Sequence, residues 1–433
     1  MKKTNLLIMS DINNKTISRT RAYFIYLIII LMVANAIDAY TTIVNGMFPS
    51  KIAEEFLSGY STNEQNFILA LGASIATIGY YFVFINLYLA DKIGRKKVLA
   101  FTILGLAITC FLMMLSTNYW QYVSFWILLY LFFQSDIWAI YINEESKKEK
   151  RAFYQFIIMI AGLSGALLCI ILRSIFITET RSDWRAMLIF PIIAGIPLGI
   201  IILLTLKESS KYQQMKEEQS KIEKRSFKED LKAIFQTENR KSYIALLFMS
   251  FIFGAATIWR NLFEKYLADI GTITQAQITI IFIWTLIGVL VAYLLNGFLA
   301  DRIGRKPLMC IWSGLMPIGT FTWVIGAHDP QNAFLIVQIG FALMHIGFWG
   351  LLGILSLTTI EMLPTDRRGT GVGFRLLLFA LGTTVGLLLS SIFILFFGLG
   401  TAFIVFMSAM FILIPIAYVS VKETKGVDLS QIK

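Results

Sequence analysis

Apolar runs of 19 to 28 residues recur along the chain, separated by short charged stretches. About 20 apolar residues carry a helix across a bilayer, whereas strands of a membrane barrel are alternating segments of about 10. The pattern predicts an all-α polytopic membrane protein with twelve transmembrane helices. Its spans fall at 24–46, 66–89, 98–116, 119–142, 153–176, 186–206, 242–262, 278–300, 308–327, 333–359, 370–397 and 399–420. The longest polar interruption, 207–241, holds ten Lys/Arg and seven Asp/Glu. Within it the spacing of Phe227, Leu231, Ile234 and Phe235 predicts a short amphipathic helix. The expected organisation is an N-terminal six-helix half (1–206), a cytoplasmic linker (207–241) and a C-terminal six-helix half (242–433).

Composition agrees: 57% of residues are apolar, 15% are charged and the mean hydropathy is +0.70. A soluble domain carries about 25% charged residues. The net charge of +11 is a matter of topology. Both termini and the 2–3, 4–5, 6–7, 8–9 and 10–11 loops hold 31 of the 38 Lys/Arg. The positive-inside rule makes that side the cytoplasm, so the expectation is a multi-pass plasma-membrane protein with both termini cytoplasmic and no nucleic-acid partner. Cys110, Cys169 and Cys310 sit in apolar runs without CxxC spacing and read as small buried side chains. "NLLIMS" near the start is too short for the apolar core of a signal peptide. No Gly-rich phosphate loop ending in Lys-Ser/Thr, metal cluster or nucleophile–base pair is visible, so neither ATP hydrolysis nor another enzyme activity is expected, nor a cofactor or metal.

Three charged phrases occur twice in the same order. "NLYLADKIGRKKVL" (86–99) is echoed by "NGFLADRIGRKPLM" (296–309), with Asp91 and Asp301 210 residues apart. "EESKKEKR" (144–151) faces "EMLPTDRR" (361–368), each with Glu seven residues before Arg, and "KESSK" from Lys207 faces "KETKG" from Lys422. Nearly constant offsets amount to a duplicated six-helix unit, hence two pseudo-symmetric halves.

These phrases resemble the major facilitator superfamily. The two "LAD-IGRK" loops are similar to its signature between helices 2 and 3 and between helices 8 and 9. "DWRAMLIF", "EMLPTDRRGTGVGF" and "KETKGVDL" resemble its sugar-porter-like and metabolite:proton symporter branches, and "DAYTTIVNGMFPSKIAEEF" is similar to the Asp-containing first helix of proton-coupled branches. Departures are plain. Leu87 stands where the signature has Gly, "EESKKEKR" lacks the Pro and Gly found at Pro364 and Gly369, and "KESSK" is a reduced sugar-porter phrase. Helix 4 lacks a buried Arg, Ser124 occupying that region, and helix 7 lacks a Gln-rich sugar motif. The resemblance implies the twelve-helix fold and leaves the solute open among sugars, organic acids and similar metabolites.

In the loops, Gly94 and Gly304 permit tight reversals, and Asp91 and Asp301 are placed to accept hydrogen bonds from the following helix start. Arg95 and Arg305 are spaced to pair with Glu144 and Glu361. The resemblance implies that this cluster, with Arg151 and Arg368, latches the halves on the cytoplasmic side when the carrier opens outward. Asp136 and Arg375 lie at similar depth on helices 4 and 11, either as an inter-half gate or each paired within its own half.

Ionisable groups inside spans are functional candidates because they are expensive there. Asp38 lies about 21 Å and His345 about 24 Å from the cytoplasmic ends of helices 1 and 10, at 1.5 Å per residue. Both are proton-coupling candidates, with structural hydrogen bonding as the alternative. Arg260 either pairs with Glu264 one turn on, partners Asp38 or binds an anionic solute. Arg173 reads as an interfacial side chain reaching for water. Asn35, Gln134, Trp138, Trp284, Asn296 and Trp349 complete the candidate solute-binding set. The expected function is secondary active transport of a small polar or anionic solute (sugar, organic acid or similar metabolite) by alternating access, in symport with protons. The alternative is a proton-coupled exporter of drugs or metabolites with the same fold. Expected partners are the solute, protons and the lipid bilayer, with the chain functional as a monomer.

Overall fold

The computed structural model describes residues 20–133, 137–146, 150–210, 212–213, 235–363 and 368–426. Ten stretches among them are long and apolar enough to cross a membrane. They are spans 1 (Arg21–Met47), 3 (Arg95–Met114), 5 (Phe153–Phe176), 6 (Trp184–Thr205), 7 (Arg240–Ile270), 8 (Gln275–Ile303), 9 (Arg305–Gly326), 10 (Ala333–Met362), 11 (Thr370–Phe397) and 12 (Leu399–Ser420). Span 2 joins helices Thr62–Ala76 and Val83–Ile93 through a tighter turn, Thr77–Phe82. Span 4 comprises helices Tyr119–Leu131 and Ile137–Glu145. Described residues thus form twelve spans, with helix the only extended secondary structure among them.

Local chemistry sets several starts. Ser61 and Glu64 form a reciprocal cap on span 2, Thr274 and Gln277 do the same for span 8, and Asn118 caps span 4. Gly94 and Gly304 have φ of 105° and 95°, the region open to glycine. A Cβ at either would fall 2.1 Å from Glu208 or 2.6 Å from Glu423.

Packing repeats between halves. Span 1 packs on 5 and 3 on 6, as span 7 packs on 11 and 9 on 12. Spans 2 and 11, and spans 5 and 8, pack across the halves. Small residues allow the closest approaches: a Cβ at Gly165 would lie 1.9 Å from the Ala36 carbonyl, and one at Gly386 2.3 Å from that of Ala255. Exposed Ile, Leu and Phe cover the outside of the bundle, among them Ile193, Leu204, Ile325 and Phe396, as a lipid-facing surface requires. Cys110 and Cys169 are buried and free, and Cys310 is half-buried. Phe227, Leu231 and Ile234, the expected amphipathic face of the linker, lie outside the described residues. Phe235 packs on Tyr243 and Phe374.

Candidate functional site

Several spans lose regular helix near one level. Span 1 tightens at Asn45–Met47, span 2 at Thr77–Phe82, and span 7 breaks between Ala255 and Trp259. In span 7 the Thr257 hydroxyl returns to the Gly254 carbonyl at 2.6 Å, closing the first segment. Irregular backbone at membrane depth is tolerated where it is buried in protein or lines a cavity. Here it borders a cavity of about 80 Å³ between the halves, walled by spans 1, 2, 4, 7, 8, 10 and 11.

Arg260, second residue of the helix Trp259–Ile270 in span 7, lines this cavity with its guanidinium carbon 5.8 Å from the Phe348 ring centroid. Tyr80 and Tyr130 stack at 4.1 Å on another wall. The charges of Arg260 and Asp38 both act on the Tyr80 hydroxyl. Asp38 itself is half-buried on span 1, one turn before Thr42, whose hydroxyl donates to the Asp38 carbonyl at 2.8 Å.

His345 lines the cavity, edge-on to Trp259 with ring centroids 4.7 Å apart. Its Nδ1 lies 3.1 Å from the Phe341 carbonyl, and its Nε2 lies 3.3 Å from the Thr285 hydroxyl. A carbonyl only accepts, so Nδ1 carries the proton and Nε2 accepts from Thr285. Both nitrogens are then satisfied as neutral imidazole.

Trp349 also lines the cavity. The other solute-binding candidates hold helices together. Asn35 donates to Ile158 O across spans 1 and 5 (2.9 Å). Asn296 donates to Gly350 O (2.9 Å) and accepts from Trp312 Nε1 (2.8 Å). Trp284 donates to Gln338 at 3.1 Å, and Trp138 is buried in the core of the first half. Gln134 and Asp136 lie outside the described residues. Arg375 is fully buried and reaches Ser356 (2.7 Å) and Ser250 (3.4 Å), both in its own half.

Sequence reasoning missed the side of the cavity away from the Lys/Arg-rich loops. Arg173 is not at the interface reaching for water: it is fully buried. Its guanidinium pairs with Glu264 at 3.2 Å and donates to Met47 O (2.7 Å), Gln275 O (3.0 Å), Gln275 Oε1 (2.7 Å) and Thr279. All five N–H donors are thereby used. Glu264 is taken by Arg173 and by Ser50, whose N–H and hydroxyl donate at 2.8 and 2.6 Å, so the i,i+4 pairing with Arg260 is not made. Asn66 donates to Asp269 (3.0 Å), and Glu179 accepts from the Gln275 N–H. Three bonds from Ser74, Thr77 and Tyr81 to Thr384 join the halves at cavity level. No signal within either apolar run shows that Arg173 and Glu264 meet, because they come from spans 5 and 7.

On the Lys/Arg-rich side, the ion pairs between described residues each lie within one half. Arg95 holds Glu144 at 3.0 Å and Arg305 grips Glu361 through two bonds of 2.7 and 3.0 Å. Asp301 pairs with Arg305 at 2.9 Å. The span 9 start is capped by Glu423 instead, which accepts from Arg305 N–H (2.9 Å) and Lys306 N–H (3.1 Å). Glu208 does the same for Arg95 and Lys96 at 2.8 and 3.2 Å. Thr424 donates to Glu361, and Ser209 to Glu144. The duplicated Lys-Glu-Ser/Thr phrase is the sequence signal for both capping residues. At Asp91, Arg151 and Arg368 the structure describes the helical backbone alone.

The Major Facilitator Superfamily sequence profile matches residues 23–273 and 244–432. The proline/betaine transporter of Salmonella typhimurium (strain LT2) is 26% identical over 306 residues, 65% of this chain and 59% of that protein. The sialic acid transporter NanX of Escherichia coli (strain K12) is 30% identical over 161 residues, 36% of this chain and 38% of that protein. The chain therefore matches less than two thirds of the length of these relatives. Among solved structures, the inward-open xylose transporter XylE of E. coli superposes with a TM-score of 0.73 at 17% identity, over 94% of this chain and 98% of that one. A single-substitution mutant of the nucleoside transporter NupG gives 0.73 at 16%, over 92% and 100%. At such identity the structures establish the fold, while the profile covers nearly all of the sequence: the chain belongs to the major facilitator superfamily, a family of membrane transporters and not of enzymes.

Proposed function

We propose that this chain is a secondary active carrier that imports a small polar or anionic solute by alternating access, in symport with protons. The observation that carries the reading is a cavity between the halves with bonds across them concentrated on one side. Between described residues, every hydrogen bond joining the first six spans to the last six lies at cavity level or on the outer side. Such one-sided closure is what a carrier caught facing inward needs, since rocking must break outer contacts and make inner ones. The known transporters of proline/betaine, sialic acid, xylose and nucleosides among its relatives and fold neighbours fit a small polar solute. The Lys/Arg-rich inner side supports a plasma-membrane carrier with both termini cytoplasmic. The linker 207–241 would join two halves that move as units. The chain would work as a monomer with its solute, protons and the bilayer, without nucleic acid or cofactor.

Asp38 is the proton carrier in this scheme. Protonating this carboxylate must change the relative populations of the two facing states, and the charges of Asp38 and Arg260 both act on Tyr80 of the cavity wall. His345, satisfied on both nitrogens, serves to position Trp259 and Phe341. The test is transport in proteoliposomes under an imposed proton gradient. Asp38→Asn should abolish proton-driven accumulation and spare counterflow exchange. Intact accumulation by this variant refutes the assignment.

A further inference from the structure

Resting on the carrier reading above, the cavity's hydrogen-bonding balance narrows the solute. Asn45 Nδ2, Trp259 Nε1 and Trp349 Nε1 are buried side-chain donors without a partner among the described residues, and all three side chains belong to the cavity lining. Buried polar groups are normally paired, and here each orphan is a donor. Arg260 adds a guanidinium, a group with five donors and no acceptor. It is the one charged side chain among the described lining residues, and no described carboxylate stands within ion-pair distance of it. Facing it are the Phe348 ring and the aromatic wall of Trp259.

We infer that the cavity takes a small solute bearing one carboxylate, held by the Arg260 guanidinium, with its less polar body against Trp259 and Phe348. A carboxylate is acceptor-only and matches the planar fork of arginine in two parallel bonds. It supplies a counter-charge for Arg260 and acceptors for the unpartnered donors of the lining. A neutral polyol brings a donor with every hydroxyl and no charge to pair with the guanidinium. A dicarboxylate brings a second charge to an aromatic wall that has no cation for it.

The experiment uses the purified full chain and its ligand-dependent thermal stabilisation. Probes are glycine betaine, L-proline, pyruvate and N-acetylneuraminate, each beside its methyl ester, with succinate, D-xylose and uridine. A monocarboxylate should raise the melting temperature while its ester does not. Arg260→Gln should weaken the apparent Kd roughly 10- to 100-fold, the range expected for losing hydrogen bonds to a charged group. Arg260→Lys should fall between, keeping charge and losing the fork. The acid-against-ester comparison is made on the wild-type protein, so it stands whether or not either variant folds. Equal response to acid and ester, binding of D-xylose or uridine in place of every monocarboxylate, no monocarboxylate binding, or unchanged affinity in Arg260→Gln each overturns the assignment. Counterflow in proteoliposomes separates this from the carrier reading. A monocarboxylate bound through Arg260 and never moved keeps the site and refutes transport, whereas a transported neutral solute does the reverse.

Discussion

In the proposed carrier, removing Glu264 should turn the protein outward. Arg173 and Glu264 are both fully buried, and each belongs to a different half. Glu264→Ala leaves the guanidinium in place with Met47, Gln275 and Thr279 but without its counter-charge. Breaking one side of a buried ion pair costs about 3–5 kcal/mol. That cost falls on the outer-closed arrangement, because opening the outer side lets both partners meet water. The ratio of outward- to inward-facing molecules should therefore rise by roughly 10² or more, at about 1.4 kcal/mol per factor of ten. Glu264→Gln keeps an acceptor for Ser50 and Arg173 and loses the charge. Its cost of about 1–2 kcal/mol, the difference between charged and neutral hydrogen bonds, gives a shift of roughly 5- to 30-fold. A single cysteine at Asn261, which lines the cavity, in a background lacking Cys110, Cys169 and Cys310, reports the state. A membrane-impermeant thiol reagent added from outside should label it faster in the order wild type, Glu264→Gln, Glu264→Ala. If both variants lose thermal stability while outside labelling stays at the wild-type rate, the pair is a packing feature and the gate argument fails.

The inner clusters and the interhelical glycines give further expectations. Glu361→Ala leaves the Arg305 guanidinium with only the exposed Asp301 as counter-charge and should lower stability by about 2–3 kcal/mol, whereas Asp301→Ala, removing that exposed partner, should cost at most ~1 kcal/mol; detergent melting curves that show equal losses contradict this ranking. Gly386→Val must push span 11 off the Ala255 carbonyl and should cost at least ~1–3 kcal/mol, while Gly297→Ala, with nothing within 4 Å of the added Cβ, should be neutral or slightly stabilising. At Glu423, outside the spans, burial pushes the carboxyl up, but backbone N–H groups of Arg305, Lys306, Lys425 and Thr424 outweigh it and hold it below its ordinary value. Its stabilising contribution is therefore present above the ordinary carboxylate range and disappears as pH falls through the lower folded value. Protection of the Arg305 and Lys306 amides, corrected for the intrinsic pH dependence of exchange, should fall on that acid limb, and Glu423→Gln should remove that fall; an unchanged profile in the variant refutes it.

Much of the architecture is written locally. Twelve apolar runs, the Lys/Arg bias of alternate loops and the duplicated phrases follow from bilayer thickness and chain periodicity, which each segment meets by itself. The Arg95–Glu144 and Arg305–Glu361 pairs were legible because the repeat shows both partners twice at matched spacing. Arg260 and His345 stood out as costly groups within apolar spans, and both line the cavity. What the run of letters leaves open is which costly groups meet. Arg173 and Glu264 lie 91 residues apart on helices whose faces are set only when spans 5, 7 and 8 converge. Asn35 and Asn296 look like binding amides in sequence, yet their neighbours supply Ile158 and Gly350 carbonyls that engage their amide donors. The breaks in spans 1, 2 and 7 likewise need the fold around them: a hydrophobic helix can loosen at membrane depth only where another protein surface or a cavity takes its backbone groups. Sequence by itself therefore determined the membrane class, the two-fold design and the Lys/Arg-rich loops of one side. Tertiary structure decided the site, because burial and pairing of a charge depend on faces brought together from distant helices.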